Sequence, residues 1–356
     1  MPSAVNKPAL FPSLSPEYVL AFQFSSWYPK FSGISIKSTV IRPLSQEFQE
    51  YLDSDGVFLP DGAEDVPVVS ELSDNEDSDE EESEPDRRHF AFPELDAKIR
   101  EAVVQYGAVF PKLNFSSPRD AAWMLPASSP LKCMSPADVY LFLKSSDFIQ
   151  HDITSSHVFE GCEGLSPLGE NTSPFPQYEL ELILRKWYPV DRSREIRCFV
   201  RQERLLGANG VSQRDPNYYD FWIEPGTQAK VLEAVQTFWK AKIKGRWEDS
   251  NGDYVFDFLL TRDLSRGHIL DFNPYAPRTD PLLFTYEELH ELLLRGESTT
   301  TEPELRVVDS LDHPVATRNA PAHQHNMVPL EALTMSSGRD VQEFANLLQE
   351  EIQNAM

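Results

Sequence analysis

The chain has 356 residues, 40% of them hydrophobic and 11% aromatic, and a formal charge of −25. Such a composition supplies a sizeable core and excludes a wholly disordered chain. Seventeen acids and no Lys or Arg fall between Pro43 and Asp86, leaving −8 for the rest; a field of that sign opposes general nucleic-acid binding and suits a basic protein partner.

Residues 15–65 read as structured. Aromatic and β-branched residues bounded by Pro and Gly fill FQFSSWYPKFSGISIKSTVI, and SIKSTVIR, with Ile34, Ile36 and Val40, is a strand candidate. In SQEFQEYL, Ser45 is placed to cap a short helix whose stripe is Phe48, Tyr51 and Leu52. The acidic stretch ELSDNEDSDEEESEPD lacks apolar residues and repels itself, so residues 66–86 are expected to form a disordered loop. Ser73 and Ser78 within it are candidate sites for an acid-directed kinase, with a plain solvated loop as the competing expectation.

From Phe90 to Gly296 periodic segments are dense. FPELDAKIREAVVQYG predicts an amphipathic helix with Leu95, Ile99, Ala102, Val103 and Tyr106 as its stripe and Gly107 as its stop. AVFPKLN predicts a strand, and SPADVYLFLKSS a helix opening at Ser-Pro. YELELILRKW, EIRCFVRQ and RLLGANGVSQ follow as strands. TQAKVLEAVQTFWKAKIKG predicts a helix, DYVFDFLLT and GHILDFNP a hairpin, and TYEELHELLLRG a closing helix. Helices and strands mix without strict βαβ alternation, which predicts an α+β fold with mostly antiparallel sheets. The expected division is a first lobe at 15–65 and 87–165, a second at 170–296, and a polar tail at 297–356 ending in an amphipathic stripe of Val341, Phe344, Ala345, Leu348 and Ile352.

Further exclusions follow. The first fifteen residues carry no basic region followed by an apolar core, so no secretory leader is expected. No apolar run approaches the roughly 20 residues needed to span a bilayer. Cys133, Cys162 and Cys198 are far apart and odd in number, which suits free thiols and a cytoplasmic protein. P-loop, dinucleotide, GxSxG and kinase HRD/DFG motifs are absent. His323 and His325 are too few ligands for a metal site, and His151, His157 and His268 are isolated.

The sharpest chemistry lies in the predicted hairpin. A turn centred on Leu264 sets Asp257 opposite Asp271, and Asn273 shares the face of Asp271 because strand side chains alternate. Opposed carboxylates repel. A hard divalent cation removes the conflict, and Asp, Asp and Asn suit magnesium completed by phosphate and water. The competing reading, two aspartates screened by solvent, gives Asn273 no purpose. A second signal is cationic: Arg185, Lys186 and Trp187 end one strand, Arg197 alternates along EIRCFVR, and Lys112 sits among Phe110, Leu113 and Phe115. Such cations can line an anion site or form an exposed face of alternating charge. Lys112 fits the second alternative least.

FSSWYPKF (Phe24–Phe31), FPKLNFSSPRDAAWM (Phe110–Met124), LKSSDFI (Leu143–Ile149), ELILRKW (Glu181–Trp187), EIRCFV (Glu195–Val200), SQRDPNYY (Ser212–Tyr219) and ILDFNP (Ile269–Pro274) occur in this order. Together they resemble the cell division cycle protein 123 family of eukaryotes, from about Phe22 to Gly296. The resemblance implies an ATP-grasp fold, two α+β lobes clasping ATP and Mg2+. It also implies a monomeric assembly chaperone that binds the gamma subunit of translation initiation factor 2, supporting translation initiation and the cell cycle. Under it, Lys112, with Asn114 nearby, and Arg197 approach the phosphates, while Arg185, Lys186 and Trp187 lie at the adenine-side strand. Asp257, Asp271 and Asn273 hold magnesium. The alternative is a carboxylate–amine ligase or a phosphotransferase of the ATP-grasp type.

Overall fold

The computed structural model describes residues 8–64, 89–124, 130–164, 175–176, 178–206, 210–295 and 305–318. The acidic stretch with Ser73 and Ser78, the stop at Gly296, and the tail with His323, His325 and its terminal stripe lie outside the described residues.

The chain opens with helices α1 (Pro16–Ala21) and α2 (Phe24–Phe31). The second gives helical form to an aromatic segment that its sequence marks only as structured. Pro29 removes one helical hydrogen bond, but Phe24, Trp27 and Phe31 recur at helical spacing and are all buried. Tertiary packing therefore outweighs local propensity. Strand β1 (Ser38–Ile41) follows, then α3 (Gln46–Asp53), whose first turn is capped by the Ser45 hydroxyl accepting from the Phe48 amide at 3.1 Å. Helix α4 (Pro93–Tyr106) ends where Gly107 takes φ +82°, a conformation that costs Gly nothing and side-chain-bearing residues 1–2 kcal/mol, roughly. After β2 (Val109–Lys112), α5 (Pro136–Lys144) starts in a capping box of Ser135 and Asp138. Short α6 (Asp147–Ile153) and α7 (Ser155–Val158) complete this half.

The second half contains β3 (Leu182–Lys186), β4 (Glu195–Arg201), β5 (Arg204–Leu205), β6 (Val211–Gln213), α8 (Thr227–Lys242), β7 (Tyr254–Leu260), β8 (Gly267–Pro274), α9 (Tyr286–Arg295), β9 (Leu305–Arg306) and α10 (Pro314–Arg318). Two sheets result. A three-stranded antiparallel sheet has the order β1-β3-β2. A six-stranded sheet runs β8-β7-β4-β6-β9, with β5 beside β4, and is antiparallel except at β6–β9. The fold is α+β.

Alternation along β4 separates two cores. Ile196, Cys198 and Val200 face α1, α2 and α8 through Trp27, Val231, Val235 and Trp239, while Phe199 faces α9 with Val255, Tyr275 and Leu289. A separate core built on β3 and helices α3–α6 contains Tyr51, Ile99, Tyr140, Leu182 and Leu184. The two halves interleave, which displaces the division expected near residues 165–170. Helices α1 and α2 belong to the core of the six-stranded sheet, and β3, expected in the second lobe, is the central strand of the first sheet. Ile183 and Arg185 leave β3 on the side opposite Leu182 and Leu184, toward the six-stranded sheet. A cleft opens between the two sheets.

Candidate functional site

The β7–β8 hairpin holds the centre of the cleft. Its turn is a four-residue loop closed by the Thr261 amide donating to the Arg266 carbonyl at 3.0 Å, with Leu264 at φ +56°. That turn pairs Leu260 with Gly267 and Phe258 with Ile269, a register that would set Asp257 against Leu270. A bulge at Leu270 adds one residue and brings Asp271 opposite Asp257. The bulge also frees the Leu270 carbonyl, which accepts from Arg185 Nη1 at 2.5 Å.

Across the sheet the pairs Asp271–Asp257, Asp257–Arg197 and Arg197–Ser212 form one polar row on the face turned away from α8. Both predicted carboxylates are ion-paired, and neither is an exposed group screened by water. Asp257 is 1% exposed and receives Arg197 through both oxygens, at 2.8 and 2.9 Å. Arg214 reaches its Oδ2 at 3.1 Å. Burial pushes the Asp257 carboxyl up, but Arg197 and Arg214 outweigh it and hold the group down at about 2. Asp271 accepts from Lys112 Nζ at 2.9 Å and from the Phe272 amide at 3.1 Å. Lys112, buried on β2, also donates to the Phe115 carbonyl. Asp152 on α6 accepts from the Phe115 and Ser116 amides and so fixes that loop. The alternative of an exposed sheet face for these cations is thereby overturned.

The cleft encloses about 600 Å³. Its lining is apolar at Ile36, Phe110, Leu131, Trp187 and Val190 and charged at Arg119, Arg192, Arg214, Glu195, Asp257 and Asp271. Arg185 also lines it, 3% exposed and flanked by the rings of Phe24 and Phe110 at 5.3 and 5.4 Å. Among the described residues its Nε and Nη2 have no hydrogen-bond partner. Burial pulls this guanidinium down to about 10. Two unpaired donors on a buried cation are costly, and an anion in the cleft relieves the cost.

Of the predicted site residues, Arg185, Trp187, Asp257 and Asp271 line the cleft, and Lys112 and Arg197 reach it through their aspartates. Trp187 fixes its indole by donating to the Pro130 carbonyl at 3.0 Å. Of the remaining three, two stand elsewhere. Asn114 is wholly buried, donating to the Glu179 carbonyl at 2.8 Å and accepting from the Glu181 amide at 2.9 Å, so it ties the end of β2 to the approach to β3. Lys186 points to the opposite sheet face from Arg185, with Nζ 5.2 Å from the Tyr188 ring centre. Asn273 is half-buried beside Asp271, opposite Val255. Sequence reasoning missed Arg119, Arg192, Arg214 and Glu195. Arg214 was findable, since it lies two residues after Ser212, the neighbour of Arg197 across the sheet.

Among the described residues no group of three or more His, Cys, Asp or Glu is gathered to hold a metal alone. The donor set at Asp257, Asp271 and Asn273 is nevertheless of hard oxygens, which fits magnesium when a ligand supplies the remaining oxygens. Asp271 is the freer carboxylate, its side chain 21% exposed.

Comparison with known proteins agrees with this architecture. The D123 family matches residues 27–336. A Xenopus tropicalis protein named translation initiation factor eIF2 assembly protein is 35% identical over 93% of this chain and 96% of its own. The Schizosaccharomyces pombe protein of the same name is 34% identical over 95% and 97%. The solved structure of Cdc123 from Schizosaccharomyces pombe superimposes with a TM-score of 0.63 at 31% identity, covering 84% of this chain and all of that one. With its two interleaved sheets and charged cleft, the chain is a member of the D123 family.

Proposed function

We propose that the cleft binds ATP as its magnesium complex, in the manner of an ATP-grasp protein, and that the chain assists assembly of translation initiation factor 2. The observation that carries the nucleotide reading is Arg185. It is a buried guanidinium with two unpartnered donors, facing a cleft that also holds the Asp257–Asp271 pair. A triphosphate supplies the missing acceptors, and the apolar lining that includes Trp187 suits a purine base. Asp271, with Asn273 and Asp257, would hold the magnesium, whose contribution is to neutralise charge between the phosphates. The protein's own residues supply the rest. Lys112 and Arg197 orient the two carboxylates, the Leu270 bulge keeps them opposed, and Arg185 bridges from the first sheet.

The assembly reading draws on the names of the relatives, which are eIF2 assembly proteins over nearly their whole length. The finer proposal is that the gamma subunit is the direct partner and that nucleotide, by ordering both sheets around one ligand, favours the partner-capturing form. A pulldown with isolated gamma subunit, with and without ATP and Mg2+, tests this. Nucleotide-dependent capture without ADP production supports it. Rapid ADP production with a small acid and an amine, and no capture, supports the ligase alternative.

A further inference from the structure

The α8 face of the large sheet, opposite the polar row, holds a second cavity. It is a groove of about 500 Å³ between one flank of α8 and the end of the β7–β8 hairpin. Ala234, Phe238 and Ala241 recur at helical spacing and line it from α8, while Phe258, Leu260 and Leu264 line it from the hairpin. The rings of Phe238 and Phe258 meet with centres 4.4 Å apart. Phe258 closes against Gly267, where an added Cβ would come within 1.9 Å of the ring, so only glycine fits there. The groove is therefore apolar and firmly built. Its charged residues are cationic in balance: Lys230, Lys242 and Arg266, all exposed, against Glu233 alone. On a chain of formal charge −25 this is a local reversal of sign, and it calls for an occupant that is apolar on one side and acidic at its edges.

We propose that the groove binds the chain's own C-terminal segment, residues 340–352, as a helix whose apolar stripe faces α8 and the hairpin. Length, charge and reach agree. The lining of α8 runs from Lys230 to Lys242, about 18 Å of helix, and the stripe from Val341 to Ile352 spans about 17 Å as a helix. Asp340, Glu343, Glu350 and Glu351 flank that stripe and complement the three cations. From Arg318, where α10 ends, the chain to Asp340 can extend up to roughly 70 Å. The six-stranded sheet is only about 25 Å wide. The acidic stretch ELSDNEDSDEEESEPD has the charge without the stripe, so it cannot cover the apolar walls. An amphipathic helix laid in a hydrophobic groove is a recurring mode of recognition, and tethering strengthens it. Docked there, the segment lies behind the hairpin that carries Asp257 and Asp271, on the side away from the cleft.

Hydrogen–deuterium exchange of the full-length protein, read by mass spectrometry over residues 341–352, tests this in wild type, Ala241→Glu and Phe344→Glu. Ala241 is exposed on α8, so its replacement sets charge and bulk in the groove while sparing the core, and thermal midpoints check this. In wild type these amides are expected to exchange roughly ten- to a hundredfold more slowly than in a free peptide of the same sequence. In both variants the rate returns to within about threefold of the free peptide. Free-peptide exchange in wild type overturns the proposal. Slow exchange that Ala241→Glu leaves unchanged also overturns it, by placing the segment elsewhere. Protection that grows with protein concentration overturns it in favour of a second copy of the chain.

Discussion

Asp257 and Asp271 read alike in the sequence, yet the structure gives them opposite consequences for stability. Asp257→Ala removes the carboxylate that Arg197 grips through two nitrogens and that Arg214 holds along with Glu195. Arg197 and Asp257 are 9% and 1% exposed at the side chain, so water cannot replace the lost partner. Breaking a buried pair from one side costs about 3–5 kcal/mol. In a domain of this size that lowers Tm by roughly 10 °C. Asp271→Ala removes a half-buried carboxylate, after which Lys112 retains the Phe115 carbonyl; about 1–2 kcal/mol is expected. Urea denaturation of both variants, followed by circular dichroism, measures the difference. If Asp257→Ala loses no more than Asp271→Ala, the double pairing of Asp257 is not what holds the centre of the large sheet.

Three further outcomes follow from the same geometry. The Asp257 carboxyl is depressed to about 2 in the folded chain, so its contribution is present above the unfolded value near 4 and is lost as pH falls toward 2. The stability gap between wild type and Asp257→Asn should therefore narrow by about 2–3 kcal/mol between pH 5 and pH 2; a constant gap in urea midpoints contradicts this. Asn114→Ala should cost about 2 kcal/mol by leaving the Glu179 carbonyl and the Glu181 amide unpaired, and an unchanged Tm would show that Asn114 is not a structural tie. Trp187→Phe should abolish the change in tryptophan fluorescence on adding ATP with Mg2+, since Trp187 is the one tryptophan lining the described cleft; a retained change places the base elsewhere.

Much of the fold is legible in local patterns, because the helices and strands are bounded by caps, glycines and alternation. Ser45, Gly107 and Ser135 mark ends that the structure keeps. The opposition of Asp257 and Asp271 is legible too, though for an incomplete reason. The turn is half a residue off the expected centre, and the Leu270 bulge restores the register. Bulges leave no reliable mark in a single sequence, since they answer to contacts such as that of Arg185 with the freed carbonyl. The helix at FSSWYPKF is hidden by Pro29 and by aromatics that suit either structure. The exchange of β3 with α1 and α2 between halves is a long-range choice with no local signal. Arg119 is the clearest limit, since a Pro-flanked turn has no period, and only the folded chain shows that it lines the cleft.

The proposed nucleotide site depends on a divalent ion. Calorimetric titration of ATP into wild type and Asp271→Ala, each with Mg2+ and with chelator, tests it most directly. One-to-one binding to wild type is expected, weakening at least about tenfold in chelator, with a similar loss in Asp271→Ala that chelator does not deepen. Equal affinity in all four titrations, or no binding to wild type, would contradict it.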